Sequence, residues 1–283
     1  GSDISTSNTG QVAIGKSATT SGATGGGANR VAIGSDVTAG GNVGGTSVSI
    51  GYNQSASNGG VSIGSAANAS KSGVAIGSDI TTNGNGSGVG IGKDITAGQS
   101  GLAIGSSSSS GLSGVSIGKS TSTGQSGVSI GKSTSTGQSG TSIGNSAASG
   151  RSGVSIGKST STGQSGVAIG SGVTAGQSAL VIGSSMSSSI GRSSTVIGRS
   201  NTSGVSQTVI GSGNIGTGGN GGGTLIGVAN QASNGGVTFG TNNYANRGVA
   251  IGSGNYTSSR GGGAVLIGAS NSTSGAGTAI GKS

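Results

Sequence analysis

The chain has 283 residues, 69 of them Gly, with no Pro, Cys, His or Trp and a net charge of +9 from 13 basic and 4 acidic residues. One Phe and three Tyr cannot build an aromatic core, and charged residues make up only 6% against a usual share of about a quarter. Without His, Cys or Glu the usual bases and activated nucleophiles are missing, so no enzyme, cofactor, metal centre or disulfide scaffold is expected.

Gly and Ser at this level ordinarily indicate a flexible tract, but here β-branched residues recur too regularly for that. The opening Gly1-Ser2 reads as a cloning remnant ahead of the repeat. An Ile-Gly step then stands at Ile14, Ile33, Ile50, Ile63 and Ile76, and from Ile91 to Ile182 it returns seven times at an interval of 13. Further steps follow at Ile197, Ile210, Ile226, Ile251, Ile267 and Ile280, with Phe239-Gly240 in the one gap. Twelve of the nineteen intervals are 13 residues, and the longer ones contain Gly-rich stretches such as 24–27 and 218–223, where a loop can swell.

Each unit reads as two short strands. In the first, a Val, Leu or Thr stands two residues before the Ile, as at Val12, Val74, Val128 and Thr141. Residues two apart share a face, which predicts that Val and Ile fill the core, with Ile130 buried between identical coils. The second strand places Val37 and Ala39, Ile95 and Ala97, or Thr121 and Thr123 four and six residues past the Ile. A helix is excluded by Gly every few residues and by a period of two rather than 3.6.

The carboxylates Asp36, Asp79 and Asp94 each lie three residues past an Ile and read as solvent-facing turn residues; Asp3 is the fourth. Lys16, Lys93, Lys119, Lys132, Lys158, Arg199 and Lys282 directly follow an Ile-Gly step. They predict a basic line interrupted at Asn145, serving either solubility or the binding of a charged surface, with Lys119, Lys132 and Lys158 as the candidate surface-binding residues. Residues 120–123, 133–136 and 159–162 each read Ser-Thr-Ser-Thr, which keeps an ice-binding threonine array open as an alternative. Nucleic acid is not expected, because aromatic platforms for stacked bases are absent.

The residue just before the Ile is never charged. It is Ala, Ser or Gly in the early coils and becomes Val181, Val196, Val209, Leu225 and Leu266 later. Read as the outward face, these five residues predict a subunit interface. Four residues past the Ile, Asn201, Asn214, Asn230, Asn243, Asn255 and Asn271 form a ladder of matched amides, expected to be structural.

Val31-Ala32-Ile33-Gly34, Val74-Ala75-Ile76-Gly77, Val167-Ala168-Ile169-Gly170 and Val249-Ala250-Ile251-Gly252 resemble the head repeats of YadA-like trimeric autotransporter adhesins. The likeness recurs through all twenty units, although the dominant period is one shorter than that family's and its Asn-Ser before Val is mostly Ser-Gly here. The resemblance implies a left-handed parallel β-roll, a homotrimer and a secreted bacterial surface head that attaches cells to host matrix, cell-surface or abiotic ligands. It implies outer-membrane anchorage through regions outside this chain. No stretch of about 18 apolar residues is present to cross a bilayer as a helix.

The expectation is therefore an all-β, trimeric β-solenoid of about 20 short coils, one head segment spanning 1–283. At roughly 4.8 Å per stacked strand it would be a rod of about 95 Å. A trimeric phage tail fibre or another surface fibre is the alternative with the same physics.

Overall fold

The structure, a computed structural model, describes residues 3–6, 10–22, 29–41, 45–83, 86–186, 190–217, 222–258 and 263–283. The swellings expected at 24–27, and most of 218–223, lie outside them. Among the described residues every regular element is a strand, and within each unit the strands stack in parallel, coil on coil, as a β-solenoid. The chain divides into two compact units, Gly1–Ile143 and Gly144–Ser283.

In the first unit, single strands such as Arg30–Gly40, Val74–Thr82 and Val89–Ala97 run through the Ile-Gly corner. Later coils split into a five-residue and a two-residue strand, as in Val115–Lys119 and Ser122–Thr123. Register follows the repeat: Ile117 pairs with Ile104 below and Ile130 above, and Thr123 pairs with Thr136. In the second unit Phe239 stands between Ile226 and Ile251 in the same ladder. There the second strands Ile215–Thr217, Gln231–Ser233, Tyr244–Asn246, Tyr256–Thr257 and Ser272–Thr273 form a sheet of their own.

Two backbone devices turn each coil. The Gly after the Ile adopts a conformation few other residues tolerate: at Gly118 φ is +134°. A Cβ there would lie 1.8 Å from the carbonyl oxygen of Gly131 in the next coil, so the step is held to Gly by close backbone approach as well as by φ. Two residues further on the chain is left-handed at Ser120 (φ 56°), Ser133 (φ 55°), Asp36 (φ 56°), Asp79 (φ 54°) and Asp94 (φ 54°). Asp, Asn and other short polar residues accept that region better than bulky ones. The three aspartates are exposed at these corners, as the sequence predicts.

The second strand faces as expected, with Val37, Ala39, Ile80, Ile95 and Ala97 fully buried. The first strand faces the other way. Ala32, Ala75, Ala103 and Ala168, each preceding an Ile, are buried, whereas Val115, Ile117, Val128 and Ile130 are only partly covered. Ile63, Ile76, Ile251 and Ile267 are 36–37% exposed. The inward assignment of Val and Ile, Ile130 included, is thus corrected.

Space explains the reversal. Gly90 precedes Ile91, and a Cβ added to it would lie 2.7 Å from Ile80 Cγ2 and 3.1 Å from Ile95 Cγ2. A coil this thin holds one inner residue of the first strand against the apolar pair of the second; two bulky side chains in its place would overpack it.

That inner residue and the residue four past the Ile compensate for each other. Large partners in the second strand meet small ones in the first: Gly90 with Ile95, Ala75 with Ile80, Ala32 with Val37. Paired hydroxyls bond across the core, Ser116 Oγ donating to Thr121 Oγ1 at 2.7 Å and Ser155 Oγ to Thr160 Oγ1 at 2.7 Å. Where an Asn stands four past the Ile, its amide turns to the backbone and Val196, Val209, Leu225 or Leu266 fills the interior. Thr238 and Ala250, opposite Asn243 and Asn255, depart from this pattern on the small side, and Val181 opposite Met186 departs from it on the large side.

Candidate functional site

The surface available for function follows from those orientations. On the first strands the Ile forms an apolar ladder on the outer face, and the residue two before it forms a parallel ladder of Val and Leu, interrupted by Thr141, Thr195, Thr208, Thr224 and Thr278. Val115 and Ile117 pair in register with Val128 and Ile130 in the first unit. Val167 and Ile169 pair with Leu180 and Ile182 in the second. Every member is partly exposed and uncharged. A mostly apolar lane that continues from coil to coil is the kind of patch that marks an interaction surface.

The five residues predicted as a subunit interface do not belong to that lane. Val181, Val196, Val209, Leu225 and Leu266 are each 0% exposed within their own chain. They pack in the core, opposite Met186 or the asparagine ladder, and no partner can reach them.

The basic residues behave as the spacing predicts within each unit. Lys119 and Lys132 are direct ladder partners, and Lys93 stands two coils below Lys119, with Ser106 between. In the second unit Lys158 pairs with Ser171, and Arg199 pairs with Ser184 and Ser212. All five basic side chains are exposed.

The outer side of the second strands carries small hydroxyl residues in register, Ser109, Ser122 and Ser135. Thr121, Thr123, Thr134 and Thr136 instead point inward and are 1–6% exposed. The threonines therefore belong to the core, and the surface threonine array that motivated an ice-binding reading does not form. Further along, Tyr244 and Tyr256 are ladder partners whose rings stack at 4.8 Å and 17°, with Tyr256 exposed. A shallow polar hollow of about 430 Å³ lies over Asp36, Asn53, Gln54 and Asn68.

The amide ladder is structural, as expected, and tightly made. Asn243 Nδ2 lies 3.1 Å from the Phe239 carbonyl oxygen, 2.8 Å from that of Gly252 and 3.1 Å from Asn230 Oδ1. Its Oδ1 accepts from the Asn255 backbone N–H at 3.0 Å and from Asn255 Nδ2 at 3.1 Å. Asn243→Ala would take its acceptor from the buried Asn255 N–H and its amide donor from the Phe239 and Gly252 carbonyl oxygens. A loss of about 1–3 kcal/mol is expected, read by chemical denaturation; an unchanged midpoint would mean the ladder adds nothing.

No protein-family model matches the chain, and neither does any curated protein. Among the described residues no helix is long and apolar enough to cross a membrane, and no group of three His, Cys, Asp or Glu is placed to hold a metal ion.

Proposed function

We propose that the chain is the head segment of a homotrimeric YadA-like adhesin, displayed on a bacterial surface and attaching the cell to host or abiotic surfaces through multivalent contact. The observation that carries this reading is the outward lane of Val and Ile. It is free of charge, mostly apolar with threonine in some coils, and in register from coil to coil. Copies of the same chain present the same lane, so closed side-by-side association covers it. The Val-Ala-Ile-Gly repeats favour three copies through the family they resemble. Small residues and hydroxyls on the remaining outer faces supply many weak contacts, which three chains per head and many heads per cell multiply.

Light scattering of the purified chain at micromolar concentration is expected to give three times the mass of 25.6 kDa. Beads coated with the same material should adhere to at least one of several matrix proteins or to an abiotic surface. A monomer would remove the trimeric reading. A stable trimer that adheres to nothing would favour a tail-fibre or spacer role instead.

A further inference from the structure

Charge is segregated along the chain. Residues 1–94 hold Lys16, Arg30, Lys71 and Lys93 against Asp3, Asp36, Asp79 and Asp94, that is 4 − 4 = 0. Residues 95–283 hold nine Lys and Arg and no carboxylate side chain, 9 − 0 = +9, so the whole net charge lies beyond Asp94. Solubility alone would be served by charge placed anywhere. What the structure adds is the alignment of three lysines across the point where that basic region begins, Lys93 directly before Asp94 and Lys119 and Lys132 beyond it.

Lys93, Lys119 and Lys132 occupy one ladder, with Ser106 between the first two. None of the three has an ion-pair partner among the described residues. Beside Lys119 and Lys132, on the same coils, stand the exposed hydroxyls of Ser120 and Ser122 and of Ser133 and Ser135. The serines Ser109, Ser122 and Ser135 continue as their own ladder. Lysines one and two strand spacings apart, roughly 5 and 10 Å, thus flank a flat lane of hydroxyls and backbone.

We infer that this edge of the first unit binds a linear acidic polysaccharide, a sulfated glycan laid along the coil axis. The inference rests on the adhesive reading only for the gain from multiple copies. A row of unpaired ammonium groups attracts a chain with periodic negative charge, and the adjoining hydroxyls match sugar hydroxyls. The aromatic side chain on this ladder, Tyr52, is exposed three coils below Lys93 and outside the lysine row. No run of aromatics therefore follows the lane to stack successive bases, which favours a glycan over a nucleic acid. In the second unit Lys158 and Arg199 share a ladder more sparsely, three strand spacings apart with Ser171 and Ser184 between.

The test uses the full chain with dextran sulfate, uncharged dextran and single-stranded DNA as immobilised probes. Binding to dextran sulfate alone is expected, weakening steeply with salt because counterions are released. Combining Lys93→Ser, Lys119→Ser and Lys132→Ser should weaken it about tenfold at low salt, whereas Lys→Arg at the same three positions should keep it. Circular dichroism and light scattering confirm that both variants fold and associate as the parent does. Equal binding to uncharged dextran, tighter binding to DNA, or a serine variant that binds like the parent would overturn the proposal. Dextran sulfate binding by a chain that adheres to no cell or matrix surface would remove the adhesive reading while supporting this one.

Discussion

Gly118→Ala is expected to break the coil stack locally and to cost more stability than any surface change in the chain. A non-Gly residue held in a sparsely populated backbone region costs about 1–3 kcal/mol. At Gly118 a second cost adds to it, since the new Cβ would lie 1.8 Å from the carbonyl oxygen of Gly131. That oxygen is backbone in a paired strand, so it cannot move aside without opening the ladder. Gly213 supplies the contrast. Its φ of +65° is the left-handed corner that Ser, Asp and Asn occupy in other coils, and nothing lies within 4 Å of a Cβ built there. Gly213→Asn should therefore change stability by less than about 0.5 kcal/mol. Urea unfolding with limited proteolysis distinguishes the two; equal loss in both would mean that φ, and not the close approach, holds the Ile-Gly step to glycine.

Val209→Asp and Ile210→Asp, adjacent substitutions of the same kind, should have opposite consequences. Val209 is 0% exposed and packs opposite Asn214, so a carboxylate there is buried without a counter-charge, at about 3–5 kcal/mol. Cooperative unfolding of the second unit should shift to much lower denaturant. Ile210 lies in the outward lane and is only partly covered. Its substitution should leave the chain's β-sheet spectrum intact and reduce the associated fraction seen by light scattering. If Ile210→Asp unfolds the chain and Val209→Asp does not, the facing of the first strand is inverted from that described above.

The period, the two strands of each coil, the facing of the second strand and the amide ladder were all legible in the residues alone. The facing of the first strand was not, for a physical reason. Hydropathy ranks Val and Ile above Ala and Ser for burial, and period-two alternation cannot say which of two faces is inside. Carrying the phase back from the second strand fails as well, because Gly118 and Ser120, both at positive φ, interrupt the alternation between them. A usable signal was present in the pairing of Gly90 with Ile95 and of Val209 with Asn214. Side chains that trade volume or share hydrogen bonds across a coil must face each other. The threonines carried a similar clue, since Thr121 and Thr123 occupy the repeat positions of Val37 and Ala39, which already placed them inside.

Residues 115–127, 128–140 and 154–166 are identical in sequence. Each of these coils completes its inner pair within itself, Ser116 with Thr121, Ser129 with Thr134 and Ser155 with Thr160. Coils join one another through the same backbone bonds and the same Gly-to-Gly approach, together with bonds between like positions such as Thr121 Oγ1 to Ser108 Oγ and Gln138 Nε2 to Gln125 Oε1. A gene encoding such copies can gain or lose one by slippage between them, and no side chain then meets a neighbour of a kind it has not met before. The reach of the segment is in that sense a heritable variable, set by copy number and adjustable in whole coils without any search for new packing.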